Sequence, residues 1–145
     1  MVQYLEVNDS NKNIEKINNS LKNNHCNIIA IYMNGCIHCK MLHPEWKKAA
    51  LKISKLNKMK GIISFVNMDY MNQLNINTSS VFGFPHIVAI KNNNENIYNG
   101  SRDNISLFKW MSSICPVIKK TTRKKRKVKK TTRKKRKLTR RKKIV

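Results

Sequence analysis

Two cysteines three positions apart, Cys36 and Cys39, are the residues of this sequence best suited to chemistry. A strand-like apolar run at 28–32 precedes them and a helix-like run from Met41 follows, so the pair lies where a strand turns into a helix. Free backbone N–H groups and the positive end of the dipole favour a thiolate at such a helix start. This predicts a lowered pKa for Cys36, which would attack disulfides, and an inward-facing Cys39 that would resolve them. A partly charged His38 between them would stabilise the Cys36 thiolate further and make the disulfide more oxidising.

The same cysteine spacing leaves two other interpretations open. It can form half of a zinc site, and His43 has the spacing of a third ligand, but the sequence has no second Cys-x-x-Cys. It can also be an inert structural pair. The flanking strand and helix favour a redox site over both, and we expect neither a metal nor another cofactor.

The charge of the chain is divided very unevenly along its 145 residues. Residues 1–118 contain 13 Lys and Arg and all 7 Asp and Glu, whereas residues 119–145 contain the other 18 basic residues and no acid. We therefore expect one domain with its own core at 1–116 and a Lys/Arg-rich tail at 117–145. With no apolar run of membrane-spanning length and no signal peptide, we expect a cytoplasmic or nuclear protein without a transmembrane segment.

Apolar periodicity predicts the order β-α-β-α-β-α-β-β-α. The predicted strands are 2–7, 26–32, 62–68, 86–90 and 96–98. The predicted helices are 11–23, 41–60 with a kink at Pro44, 71–76 as a short helix or turn, and a last one from 105 to about 115. A polar hairpin loop is expected at 91–95. This order predicts an α/β domain with a mixed central sheet and helices on both faces.

Three stretches, in the right order, resemble the catalytic domains of protein disulfide isomerases within the thioredoxin superfamily. Residues 36–50 resemble the active-site helix of that family, 83–85 the turn at its cis-proline, and 98–102 its closing strand. The resemblance covers about 1–115 and implies a thioredoxin-like fold. It also implies that Cys36 is the nucleophile, that Cys39 resolves, and that His38 is the histidine between the cysteines. Pro85 is implied to be the cis-proline that lies against the disulfide.

Five positions depart from the family pattern. Gly35 replaces the tryptophan before the first cysteine, and Ile37 replaces the glycine after it. His86 replaces the threonine after the cis-proline and would either add positive charge near the sulfurs or lie partly exposed at the end of a strand. Ala30 replaces a buried acid that accepts the proton of the second thiol, and Ile114 replaces an arginine near the end of the last helix. Loss of these two proton-handling groups favours plain dithiol–disulfide exchange over efficient isomerase activity.

Residues outside these motifs are expected to have structural roles. Cys26 and Cys115 are predicted to be buried or incidental thiols rather than redox partners, with a pairing between them left open. Trp46 and Trp110 are expected to pack in or near the core. His43, one turn after Cys39, is expected to pack at the surface.

The tail repeats itself: residues 119–128 recur almost unchanged as 129–138. Without acids or aromatics and with few apolar residues it cannot bury a core, so we expect it to be disordered alone. Dense Lys and Arg predict salt-sensitive binding to nucleic-acid phosphates without base stacking. Solubilisation, nuclear localisation and, less favoured, binding to anionic membranes are the alternatives. The candidate nucleic-acid-binding residues are Lys119, Lys120, Arg123, Lys124, Lys125, Arg126, Lys127, Arg133, Lys134, Lys135, Arg136 and Lys137.

Two functions follow as hypotheses. The first is a thiol-disulfide oxidoreductase that acts on protein thiols and disulfides. Its basic tail would tether it to nucleic acid or to a nucleoprotein particle such as a virion core. The alternative is a non-enzymatic nucleic-acid-binding or packaging protein that uses a thioredoxin-like domain as a scaffold. The sequence predicts neither the substrate protein nor the oligomeric state.

Overall fold

The computed structural model describes residues 1–8 and 12–116. The predicted basic tail and its candidate nucleic-acid-binding residues lie outside this part of the chain. Within these ranges, no helix is both long and apolar enough to cross a lipid bilayer.

Strands and helices alternate through most of the described chain. In chain order they are β1 (Val2–Val7), α1 (Lys12–Lys22), β2 (Cys26–Tyr32), α2 (Ile37–Leu56), β3 (Gly61–Asn67), a 3₁₀ helix (Met68–Gln73), β4 (His86–Lys91), β5 (Asn94–Ile97) and α3 (Asn104–Ile114). The bounds of β1 and β2 match the prediction, and the predicted order of elements is confirmed. The largest shift is in α2, which was predicted at 41–60. It begins four residues earlier, directly after its N-cap residue Cys36, and it also ends four residues earlier.

The five strands form one mixed sheet in the order β1-β3-β2-β4-β5. β1, β3 and β2 run parallel, while β4 and β5 pair antiparallel. One face of the sheet packs against α2 and α3, and the other packs against α1 and the 3₁₀ helix. Because β2 and β3 lie in the middle, with both faces covered, their sequences are almost continuously buried.

The position of α2 is set by a fully buried tryptophan and a half-buried carboxylate bridge. Trp46 is completely buried, and its Nε1–H donates to the carbonyl oxygen of Ser64 on β3 at 3.2 Å. Glu45 Oε2 accepts from the backbone and side-chain N–H groups of Asn104 at 2.9 and 2.6 Å, which joins α2 to the start of α3. The predicted packing roles of Trp46 and the half-buried Trp110 are confirmed.

The hairpin between β4 and β5 is tighter than the predicted loop at 91–95. Lys91 pairs directly with Asn94, so only Asn92 and Asn93 form the turn. Their φ angles are 52° and 65°, which is the left-handed region that two-residue hairpin turns require. Asparagine tolerates this conformation, so β5 begins at Asn94, earlier than expected.

Cys26 and Cys115 are buried, as expected, but they form a disulfide, which is the pairing left open by the sequence rather than the free thiols that it favoured. Both are buried, with Cα atoms 5.9 Å apart, and the bond joins the start of β2 to the end of α3. Gly61 is the neighbour of Cys26 on β3, where a Cβ would clash with the Cys26 carbonyl oxygen. Asn57 at the end of α2 also donates its side-chain N–H to the carbonyl oxygen of Cys115 at 2.8 Å.

We expect the double substitution Cys26→Ala and Cys115→Ala to lower the free energy of unfolding by about 2–4 kcal/mol. The disulfide closes a loop across 89 positions, and its removal releases that constraint on the unfolded chain. Urea titration followed by circular dichroism measures the change. The matched control is the Cys36→Ser and Cys39→Ser pair, which leaves this disulfide in place. Equal unfolding midpoints for wild type and the Cys26/Cys115 variant would contradict the expectation.

Candidate active site

A tight turn carries the chain from β2 into the candidate redox motif. The backbone N–H of Cys36 donates to the carbonyl oxygen of Met33 at 3.3 Å, and Gly35 within the turn has a φ of 78°. Residues with a side chain are strained in that region, which accounts for glycine where the related family has tryptophan. Asn67 at the end of β3 donates to Asn34 Oδ1 at 3.2 Å and so holds the turn against the sheet.

Cys36 is the N-cap residue of α2. Its Sγ accepts a hydrogen bond from the backbone N–H of Cys39 at 3.2 Å, in the position where a serine or aspartate oxygen usually caps a helix. A hydrogen bond from the Cys39 thiol lowers the pKa of Cys36, and the backbone N–H groups of Cys39 and His38 lower it further. The positive charge of Arg102 adds to this effect. Cys36 is also partly exposed, so its thiolate is accessible to a substrate.

Cys39 has the opposite environment, although it lies one helical turn away. Its side chain is 2% exposed, and burial, together with the hydrogen bond to Cys36, raises the pKa of its thiol to about 11. Both motif cysteines are free thiols in the structure. The pair is therefore polarised, with an accessible thiol of lowered pKa at Cys36 and a buried thiol of raised pKa behind it at Cys39.

Pro85 lies beside the reactive sulfur. The Phe84–Pro85 peptide bond is cis and Pro85 is buried at the entry to β4. The Cys36 thiol lies 3.8 Å from the carbonyl oxygen of Phe84, to which it donates. The structure thus brings Cys36, Cys39 and the Pro85 turn together, while the role of Pro85 in binding substrate stays a prediction.

Of the two histidines near the motif, His38 differs from the sequence-based expectation, whereas His86 fits its interpretation as a partly exposed histidine at the end of a strand. The side chain of His38 is exposed on the first turn of α2. It is the backbone N–H of His38, rather than its imidazole, that lowers the pKa of Cys36. His86 is half-buried at the start of β4, and burial lowers the pKa of its imidazole. Its ring is therefore mostly neutral at pH 7, which disfavours the interpretation of His86 as added positive charge beside the sulfurs.

Arg102 and Glu6 near the motif were not singled out by the sequence, and the contact between Glu6 and His43 was not predicted. Arg102, in the loop before α3, acts electrostatically on both thiols, and it came into the sequence analysis only as part of the closing strand. His43 Nε2 and Glu6 Oε1 lie 3.0 Å apart, within hydrogen-bond distance, so His43 contacts β1 rather than only packing at the surface. Nothing in the sequence points to this contact, because 37 positions separate its partners.

The geometry agrees with relationships to known proteins. The thioredoxin family model matches residues 6–113. The probable protein disulfide-isomerase A4 of Caenorhabditis elegans is 29% identical over 99 residues, which cover 68% of this chain and 16% of that protein. The chain therefore spans about a sixth of the length of this relative.

Solved structures share the fold at lower identity. The first thioredoxin domain of mouse protein disulfide-isomerase A4 superposes with a TM-score of 0.54 and 22% identity, covering 75% of this chain and 71% of that one. A mutant thioredoxin from Halobacterium salinarum gives a TM-score of 0.56 and 17% identity, covering 81% of this chain and 95% of that one. These matches confirm the predicted thioredoxin-like fold, with its mixed sheet between two layers of helices.

We expect Cys39→Ala to raise the pKa of Cys36, because the largest cause of the lowering is the hydrogen bond from the Cys39 thiol. Cys39→Ser is the matched control, since its hydroxyl retains a donor and should preserve more of the effect. The pH dependence of Cys36 alkylation by iodoacetamide measures the thiolate fraction. The alanine variant should need a higher pH than the serine variant for half-maximal rate. Coincident profiles for both variants and wild type would contradict this assignment.

Proposed function

Because this chain belongs to the thioredoxin family, we propose that it is an enzyme that exchanges thiols and disulfides with other proteins through Cys36 and Cys39. The observation that carries the proposal is the polarised pair at the start of α2. An accessible sulfur with a lowered pKa caps the helix, and a buried thiol with a raised pKa lies one turn behind it. This is the arrangement that a nucleophile and a resolving thiol require.

The reduced pair would react in two steps. The Cys36 thiolate attacks one sulfur of a substrate disulfide, and the other substrate sulfur leaves as a thiolate. Cys39 then attacks Cys36 Sγ in the mixed disulfide and releases the second substrate thiolate. The reverse sequence transfers the Cys36–Cys39 disulfide to a substrate dithiol. In both directions Cys36 is the atom exposed to the partner, and Cys39 needs to meet only Cys36.

The surface around the motif fits a polypeptide substrate with apolar residues near its cysteine. Ile37 and Met41 are each 66% exposed on the first two turns of α2, and Phe82 before the Pro85 turn is 93% exposed. These side chains gain from being covered, at about 25 cal/mol for each Å² of apolar surface removed from water. An extended segment passing the Phe84–Pro85 turn would bring its own sulfur towards Cys36.

The direction of exchange depends on how strongly the protein stabilises the reduced pair. Every cause that lowers the pKa of Cys36 stabilises its thiolate and makes the disulfide a stronger oxidant. Ala30 and Ile114 provide neither the acid nor the arginine implied by the family resemblance. We therefore favour simple dithiol–disulfide exchange, on the oxidising side of the thioredoxin range, over rapid isomerisation.

The basic tail supports a second part of the proposal, which is tethering to nucleic acid. Its 18 Lys and Arg residues without an acid would release many counterions on binding phosphates. The described domain ends at Pro116, next to the Cys26–Cys115 disulfide, whereas Cys36 follows the other end of β2. Seven residues of strand put these two ends roughly 20 Å apart. A tether attached there would leave the redox site facing away from the bound polyanion.

We expect the Cys36–Cys39 pair to show a reversible two-electron transition in glutathione buffers. A midpoint near about −180 mV would match an oxidant or isomerase role, and one near about −270 mV would match a reductase. Cys36→Ser should abolish exchange, and Cys39→Ser should accumulate mixed disulfides that gel electrophoresis without reductant detects. The Cys26→Ala and Cys115→Ala variant is the control and should retain the transition. Exchange by Cys36→Ser at the wild-type rate would overturn the proposal in favour of a scaffold role.

We expect a chain shortened to residues 1–118 to lose binding to duplex DNA while exchanging small disulfides at the wild-type rate. For the full chain, the logarithm of the binding constant should fall linearly with the logarithm of salt, by about 0.9 for each neutralised phosphate. Fluorescence anisotropy with labelled duplex measures the binding of the shortened chain and the salt dependence of binding by the full chain. The matched control replaces the Lys and Arg residues of 119–145 by Gln and keeps the length. DNA binding that survives in this control would contradict electrostatic tethering.

A further inference from the structure

A pocket of about 310 Å³ opens beside the buried thiol of the candidate active site. Its wall includes Cys39, the ring of Phe65 on β3, and the side chains of Glu6 on β1 and His43 on α2. It is large enough for several water molecules and offers them polar partners. A resolving thiol that is otherwise sealed in the core thus faces a space that contains an imidazole and a carboxylate.

The imidazole and the carboxylate form one unit, the Glu6–His43 pair. Nε2 of His43 lies 3.0 Å from Glu6 Oε1, with the two side chains 42% and 33% exposed. The His43 ring also packs at 4.8 Å against the ring of Phe65, which itself stacks on Tyr32 at 4.4 Å. These contacts fix the ring over the pocket and leave its second nitrogen, Nδ1, available.

His43 is also close to the reacting thiol along the helix. Residues four positions apart lie on the same face of a helix, with Cβ atoms about 6 Å apart. Cys39 and His43 are related in this way on α2, and both line the pocket. The thiol and the imidazole therefore lie on the same face of α2 and line the same pocket.

The carboxylate of Glu6 lies in the same row across the sheet as Ala30. Glu6, Phe65 and Ala30 are successive partners across β1, β3 and β2 and share the sheet face beneath α2. Ala30 on the central strand has no ionisable group, and the carboxylate of this row lies two strands away, roughly 10 Å, at the edge. Its negative charge reaches the pocket through His43, which bridges from β1 to α2.

We propose that the Glu6–His43 pair accepts the proton of Cys39 when Cys39 resolves the mixed disulfide, with Glu6 as the positioning residue for His43. This inference rests on the proposed thiol-disulfide exchange and adds its proton path. Cys39 requires such a base, because a buried thiol whose pKa is about 11 supplies almost no thiolate at neutral pH unless a base removes its proton.

The step balances within the residues named. His43 Nδ1 takes the proton of the Cys39 thiol while its Nε2–H donates to Glu6 Oε1. The Cys39 sulfur then bonds to Cys36 Sγ as the bond from Cys36 Sγ to the substrate sulfur breaks, and the substrate leaves as a thiolate. The cysteine pair is oxidised, the substrate disulfide is reduced, and the imidazolium passes its proton to the leaving thiolate or to solvent.

The other titratable groups around the pair do not compete for this proton. Burial raises the pKa of Tyr4 on β1 and of Tyr32 on β2, so both phenols stay protonated. Lys40 on α2 lines the same pocket, and the charge of Arg102 favours the thiolate of Cys39. The neighbour from β3 is the phenyl ring of Phe65, which does not titrate. Among the groups that line the pocket, His43 offers a ring nitrogen that can accept the proton. Glu6 offers a carboxylate that can stabilise the positive charge that His43 then carries.

The test separates the two chemical steps of the reduced full-length protein with glutathione disulfide. Rapid acid quench and mass spectrometry distinguish the glutathione adduct at Cys36 from the closed Cys36–Cys39 disulfide. We expect His43→Gln and Glu6→Gln to form the adduct at the wild-type rate and to resolve it at least about tenfold more slowly at pH 7. The deficit should shrink as pH rises towards the ionisation of Cys39 itself. The double variant should be no slower than His43→Gln, since the two residues act as one unit.

His25→Gln and Glu15→Gln are the matched controls, a histidine and a glutamate remote from the pocket, and they should resolve the adduct like wild type. Wild-type resolution by His43→Gln and Glu6→Gln would overturn the proposal. A deficit of equal size at every pH would also overturn it, because lost packing does not depend on the ionisation of Cys39. A wild-type protein that forms no adduct would refute the proposed function itself, and this inference with it.

Discussion

The structure of the active site depends on a sulfur atom that caps a helix. Cys36 Sγ accepts a hydrogen bond from the backbone N–H of Cys39 at 3.2 Å, so the atom that caps the start of α2 is also the atom that we propose to react. This cap is effective only if the helix start is fixed. Gly35 supplies the backbone turn that reaches it, and Glu45 and Trp46 hold the next turns against α3 and the sheet. The low pKa of Cys36 and the high pKa of Cys39 are both consequences of where this helix begins.

The two ends of β2 carry the two different uses of cysteine in this protein. At its start, Cys26 is buried in a disulfide with Cys115 that closes the last helix onto the sheet. Beyond its other end, Cys36 and Cys39 are free thiols at the start of α2, where Cys36 is partly exposed and Cys39 is buried. A disulfide packed on all sides is shielded from attacking thiolates, whereas Cys36 is open to them. The separation would keep the structural bond out of the proposed exchange chemistry, and it places Pro116, the last residue that the structure describes, at the opposite end of the domain from Cys36.

The sequence predicted those features that local chemistry determines. The periodicity of apolar residues identified β1 and β2 to the residue, and the cysteine spacing identified the motif at the start of α2. It could not identify contacts that the fold makes between distant segments, such as Cys26 with Cys115, Glu6 with His43, or Arg102 with the motif thiols. Each of these residues is ordinary in its own segment. The turn at Asn92 and Asn93 was missed for another reason, because a run of polar residues resembles a long loop unless the tolerance of asparagine for positive φ is considered.

Oxidising strength and exchange rate depend on different parts of this site. The strength would follow the stability of the Cys36 thiolate, which the hydrogen bond from the Cys39 thiol and the backbone N–H groups at the start of α2 favour. The rate of resolution would follow how easily Cys39 loses its proton, and burial, together with the hydrogen bond to Cys36, raises the pKa of that thiol. A site with Ala30 in the central strand can therefore keep its redox poise and still be slow. The Glu6–His43 pair at the edge of the same row of the sheet would restore the rate without placing a charge in the core, where desolvation would cost far more than at a half-exposed edge.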